Sequence, residues 1–241
     1  MPSLKILCLH GTGCNAKKFA VRGMITVDSF DFQIMQSQMT LLNTHLQRKS
    51  IASLSFLEGD VETEPGPGIG DFYDGPYFSF YRWPPTASPA DQESIDEAID
   101  GLHAKIEEDG PFDGILGFSH GGTLVAEFLR DWASRNPWSP PPVRCAIFIC
   151  SFAPFRMDKN GEPVFQNMDS VTGGIGLPTL HVVGKQDFAY KYGMGLYRLF
   201  EGQGGILVTH EKGHELPNDE KTLHAVVRAF GELNAMVQFG I

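Results

Sequence analysis

Six short apolar runs, spaced by longer stretches of helical periodicity, constrain this chain more than any other feature. They are LKILCL (4–9), SIASLSFL (50–57), FDGILGF (112–118), VRCAIFIC (143–150), PTLHVVG (178–184) and GGILVTH (204–210). Such runs, short and continuously apolar, read as strands buried on both faces. Between them, Ser94–Glu108 places Ile95, Ala98, Ile99, Leu102 and Ile106 on one stripe. His120–Arg135 does the same with Leu124, Val125, Phe128 and Trp132, and Asp219–Val237 with Leu223, Val226, Val227, Phe230 and Leu233. RNPWSPPPVR (135–144) reads as a surface loop, since its prolines suit neither a helix interior nor a central strand. Buried strands alternating with amphipathic helices predict an α/β fold: an open, mostly parallel six-stranded sheet with helices on both faces. With 241 residues and no convincing linker, the expectation is one domain spanning 1–241.

One segment resists that pattern. Residues 58–92 contain EPGPGIGDFYDGPYFSFYRWPPTASP, where proline and glycine forbid long regular elements. Yet seven aromatics fall between Phe72 and Trp83. Long irregular stretches inside compact domains are often lids or binding loops. The expectation is a lid or pocket loop whose Phe72, Tyr73, Tyr77 and Phe80 bind an apolar or aromatic substrate. The alternative is that these rings cap the core.

Charge and cysteine usage exclude other classes. Nineteen basic against 29 acidic residues leave a net charge of −10, with no cationic run denser than AKK at 16–18. Nucleic-acid binding needs a cationic face, so it is not expected. No apolar run has the length of a membrane span, and MPSLKILCLH lacks the parts of a secretion signal. Cys8, Cys14, Cys145 and Cys150 show neither metal-ligand spacing nor disulfide density. The expectation is a soluble cytoplasmic protein with buried free thiols, no metal and no cofactor.

Chemistry is carried by Gly117-Phe118-Ser119-His120-Gly121, which fits G-x-S-x-G between an apolar strand and an amphipathic helix. A sharp strand-to-helix turn lifts the serine clear of the sheet, and the helix N-terminus favours negative charge there. A serine needs a base, and the base an orienting acid. In this architecture both come from loops after later strands, in the order Ser, Asp or Glu, His. Asp187 follows strand 178–184 and His214 follows strand 204–210, each past a carboxyl end. Asp187 is preferred to Asp158 and Glu162, which precede that strand. His214 is preferred to His210, which ends its strand and is the main rival. His45, His103, His181 and His224 lie within helical or strand stretches. His120 is too close in sequence to serve as base; its backbone N–H is one expected oxyanion donor. Thr12 N–H, in LHGTGCN (9–15), is the other.

Together LHGTGCNAKKF, GFSHGG, HVVGKQDF and GHELP, in this order, resemble the eukaryotic FSH family of serine hydrolases within the α/β-hydrolase superfamily. The aromatic segment after EPGPGI further resembles fungal members that accompany polyketide synthases, such as the lovastatin- and citrinin-pathway thioesterases. The resemblance implies an ester or thioester hydrolase working through an acyl-serine intermediate. Its expected task is to release a polyketide or other acyl chain from a carrier protein in secondary metabolism. It carries over to Ser119, Asp187 and His214, with Thr12 and His120 as backbone donors. The alternatives are an acyltransferase or cyclase on the same scaffold, or a non-catalytic ligand-binding receptor. Two departures stand out: His120 replaces the Gln or Glu of many relatives, and Gly23–Ile34 reads as an insertion. Lys17, Lys18 and Arg22 are the candidate docking patch for an acyl-carrier domain.

Overall fold

A computed structural model of the chain describes residues 1–15, 34–169 and 177–240. The 23–34 insertion, except Ile34, and the Lys17, Lys18 and Arg22 patch lie outside the described residues. In chain order the elements begin with β1 (Leu4–Leu9), α1 (Ile34–Gln38), α2 (Thr40–Arg48) and β2 (Ala52–Leu57). The short strands β3 (Val61–Thr63) and β4 (Tyr77–Ser79) follow, then α3 (Pro89–Asp109), β5 (Gly114–Phe118) and α4 (His120–Arg135). Next come β6 (Cys145–Ile149), β7 (Phe155–Met157), β8 (Pro163–Phe165) and β9 (Thr179–Gly184). The chain then forms α5 (Tyr190–Phe200), β10 (Gly205–His210) and α6 (Glu220–Phe239).

The six expected strands form one sheet in the order β10-β9-β6-β5-β1-β2, every neighbouring pair parallel. Alternate side chains enter two cores. Leu4, Ile6 and Cys8 of β1 join Leu116, Ile147 and Leu180 under α1, α2 and α6. Leu7 and Leu9 join Ile115, Ala146 and Phe148 under α3, α4 and α5. The chain leaves β1 for β2 on one side, then returns to β5 on the other. That reversal falls between β1 and β5, and in open α/β sheets ligands bind past the carboxyl ends of strands at such a switch point.

Local chemistry moved some boundaries. Helix α3 begins at Pro89 rather than Ser94, because Ser88 caps it by accepting from Asp91 N–H at 3.2 Å and proline suits the first turn. Helix α5 forms despite Gly193 and Gly195. A Cβ on Gly193 would stand 3.2 Å from the Val183 side chain, so glycine lets this helix lie close on β9. The 58–92 segment contributes the antiparallel β3–β4 pair. A second hairpin, β7–β8, follows β6. It is moored by a buried ion pair: Arg156 Nη1 lies 2.6 Å from Glu127 Oε1 on α4, and Arg156 Nη2 donates to Gln92 of α3 at 2.9 Å. No helix among the described residues is long and apolar enough to cross a membrane.

Candidate active site

Ser119 stands between β5 and α4 at φ 52°, ψ −118°, a conformation unfavourable for a residue with a Cβ. The neighbouring glycines make it attainable. A Cβ on Gly117 would lie 2.2 Å from Gly122 N, and one on Gly121 would lie 2.5 Å from the Leu9 and His10 carbonyl oxygens. The turn is fastened by Ser119 N–H donating to Ile149 O at 2.9 Å, and by Gly122 and Thr123 N–H donating to Ser119 O.

The three side chains expected from strand ends meet here. Ser119 Oγ is 2.8 Å from His214 Nε2, and His214 Nδ1 is 2.9 Å from Asp187 Oδ2. Asp187 is buried, whereas the His214 side chain retains 20% exposure. The Asp187 Oδ1 accepts from Ala189 N–H at 2.7 Å. Burial alone would raise the Asp187 pKa. The hydrogen bonds from His214 and Ala189, the His214 charge and the Cys150 thiol outweigh it and hold the carboxyl below its usual value. An ionised acid beside Nδ1 fixes the tautomer that leaves Nε2 free to accept a proton.

The rivals are elsewhere. Asp158 closes the β7–β8 turn, its Oδ1 accepting from Asn160 and Glu162 N–H. His210 is buried against Gly184, its Nε2 without a partner among the described residues, and burial lowers its pKa.

The loop after β1 runs beside the serine: a Cβ on Gly11 would be 3.5 Å from Ser119 Cβ. Among the described residues, neither Thr12 N–H nor His120 N–H is taken by a backbone acceptor. Segment 58–92 braces this loop. Gly13 N–H donates to Phe78 O at 3.0 Å, Phe78 N–H to Cys14 O at 2.7 Å, and Thr12 Oγ1 meets Ser79 Oγ at 2.6 Å. Gly13 has φ +65°, and a Cβ there would collide with Gly66 N, so the bracing requires glycine.

The imidazole of His120 points into this bracing. It is fully buried, and its Nε2 accepts from Phe80 N–H at 2.9 Å. Rings of Tyr81 and Trp83 lie 4.3 and 4.7 Å away. Burial, then the nearby His10, push its pKa well below the usual range, so it stays neutral. Phe80 lies between His120, at 5.9 Å, and His10, at 4.7 Å. Sequence reasoning passed over His10 itself. It is buried, with Nδ1 2.7 Å from Gly11 O and Nε2 3.0 Å from both Glu58 Oε1 and Gly59 N–H.

The four loop aromatics therefore occupy different settings. Phe80 is buried between the two histidines, Tyr73 and Tyr77 pack against the α1–α2–α6 core, and Phe72 is 81% exposed. The rings around His214 are instead Phe118 at 5.4 Å, Phe152 at 6.2 Å and Phe188 at 4.8 Å. The signal for Phe152 was SFAPF directly after the fourth apolar run, another strand-end position.

Cys150 is the buried free thiol that the sequence leads one to expect, and it also stands beside the triad. It directly follows β6 at φ +48°, with its thiol beside Asp187 and 3.7 Å from Glu215 O. Cys150, Asp187 and His214 each bring one possible metal-ligand atom within 4.8 Å. Burial and then the Asp187 charge push the thiol up to about 12, so it keeps its proton beside the carboxylate.

Residues 1–226 match the family model described as serine hydrolase (FSH1). The chain is 44% identical over 246 residues to hydrolase phiM of Talaromyces stipitatus, covering 99% of this chain and 91% of that protein. Esterase FPY3 of Fusarium mangiferae is 32% identical over 217 residues, covering 89% of this chain and 88% of the esterase. Among solved structures, Arabidopsis thaliana SOBER1 aligns with a TM-score of 0.58 at 18% identity, over 97% of this chain and 99% of that one. A carboxylesterase from Mesorhizobium loti aligns at 0.56 and 16% identity, over 94% and 87%. At these identities the likeness establishes fold, and the fold is that of the α/β-hydrolases.

Proposed function

The chain belongs to the FSH1 family of serine hydrolases, and on that premise we propose that Ser119, His214 and Asp187 are its catalytic triad and that its substrate is an acyl ester or thioester. The observation that carries the reading is the continuous hydrogen-bonded line from Asp187 through His214 to Ser119 Oγ. Ser119 Oγ attacks the acyl carbonyl while His214 Nε2 takes its proton. The oxyanion accepts hydrogen bonds from Thr12 and His120 N–H, each worth about 2.7–4 kcal/mol of barrier. Collapse breaks the bond to the alkoxide or thiolate, which leaves with the proton from His214. Water then loses a proton to His214 and attacks the acyl-serine. The acid departs and Ser119 recovers its proton.

The finer reading is a thioesterase that releases a polyketide or other acyl chain from a carrier protein in fungal secondary metabolism. The fungal sources of the relatives support it. The test is turnover of acyl esters, acyl N-acetylcysteamine thioesters and carrier-bound acyl chains, read by product mass, with wild type and Ser119→Ala. The free acid is the expected product, lost in the variant. Undiminished turnover by Ser119→Ala would overturn the mechanism. A product lacking the added water would move the assignment to transfer or cyclisation.

A further inference from the structure

The rings beside His214 continue outward as a connected wall built by separate parts of the chain. Phe152, which reaches the His214 ring at 26° between planes, lies 6.1 Å from Phe155. Trp83 packs edge-on to Phe155 at 5.2 Å. Phe155 continues to Phe165 at 6.0 Å, and Phe165 to Tyr192 at 5.2 Å. Phe152 and Phe155 are buried, but Phe165 is 40% exposed, and Phe188, over the His214 ring, is 77% exposed. Next to Phe165, Val164 is 54% exposed. Large apolar side chains left in water around a reactive centre mark a place where a ligand buries them.

We propose that this wall is the acyl subsite, and that it selects flat, conjugated acyl groups, aryl or polyenoyl, over saturated ones. The inference rests on the acyl-hydrolase reading above, and on the His214 imidazole meeting both Ser119 Oγ, at 2.8 Å, and the Phe152 ring, at 6.2 Å. Aromatic rings prefer offset-stacked or edge-to-face partners and gain from them beyond area burial. A planar unsaturated chain supplies such a partner, whereas a puckered saturated chain of similar size supplies only area. Of the rings of 58–92, Trp83 belongs to this wall, whereas Tyr73 and Tyr77 face the core and Phe80 is held between two histidines.

The probes are p-nitrophenyl esters of 2-naphthoic and decalin-2-carboxylic acid, each kcat/KM divided by the ester's hydroxide hydrolysis rate. A second arm measures binding of the two free acids to Ser119→Ala by calorimetry. Wild type is expected to favour the naphthoyl group about tenfold, with a matching binding preference in Ser119→Ala. Phe155→Leu and the more exposed Phe165→Leu should each lower that ratio severalfold. Phe165→Leu keeps the test sound if the buried substitution disturbs folding. Turnover of both esters with equal corrected rates overturns the subsite and leaves the hydrolase reading standing. Turnover of neither, with tighter naphthoate binding that Phe165→Leu weakens, overturns the hydrolase reading and supports the subsite. Ratios unchanged in both variants also overturn the subsite.

Discussion

Ser119 and His214 are 95 residues apart in the chain, and their Oγ and Nε2 atoms are 2.8 Å apart in the fold. If the pair works as a unit, Ser119→Ala and His214→Ala should each lower kcat by about 10⁶-fold, and Asp187→Asn by about 10⁴-fold. The Ser119→Ala, His214→Ala double variant should be no slower than either single one. Losses that multiply in the double variant would separate the two residues.

His120 serves the loop rather than proton transfer. Replacing it by leucine leaves Phe80 N–H buried without its acceptor, which should cost about 1–3 kcal/mol in urea unfolding. His120→Gln, which retains an acceptor, should recover part of that loss. A leucine variant as stable as wild type would show that the hydrogen bond contributes nothing.

Acid sensitivity should follow buried neutral imidazoles. Burial lowers His181 from 6.5 to about 3. Below pH 6.5 the unfolded chain takes up this proton and the folded chain does not. Stability is therefore full above pH 6.5 and falls as pH drops toward 3, by about 1.4 kcal/mol per pH unit for each such group. His181→Asn should flatten the dependence of unfolding free energy on pH between 4 and 6 by about that slope. An unchanged slope would mean that His181 takes up its proton in the folded state.

All four cysteines are buried and free, and burial raises the pKa of every one of them, Cys14, Cys145 and Cys150 to about 12. Iodoacetamide at pH 8 should leave the folded protein unlabelled and modify four sites in urea. Labelling of Cys150 in the native state, read by peptide mass, would contradict its placement behind Asp187.

The strands were legible because a continuous apolar run has one meaning when flanked by amphipathic helices. Their starts were less so: Phe112 and Val143 are buried yet lie outside the ladders, since apolar character reports burial rather than pairing. The three-residue strands of the two hairpins are too short to show a period. Gly193 and Gly195 concealed α5. Ser119, Asp187 and His214 were readable as positions just past strand ends. Cys150, His10 and the Phe152–Phe155 pair acquire their neighbours only when separate strands come together.

The Arg156–Glu127 pair gives the hairpin an unusual footing. Glu127 belongs to α4, which Ser119 immediately precedes, so the hairpin and the serine are attached to the same helix. A ligand pressed against Phe155 would load that helix rather than a free loop. Exchanging the outer ring at Phe165 would leave that footing untouched, since Arg156 and Glu127 hold the hairpin at its inner strand.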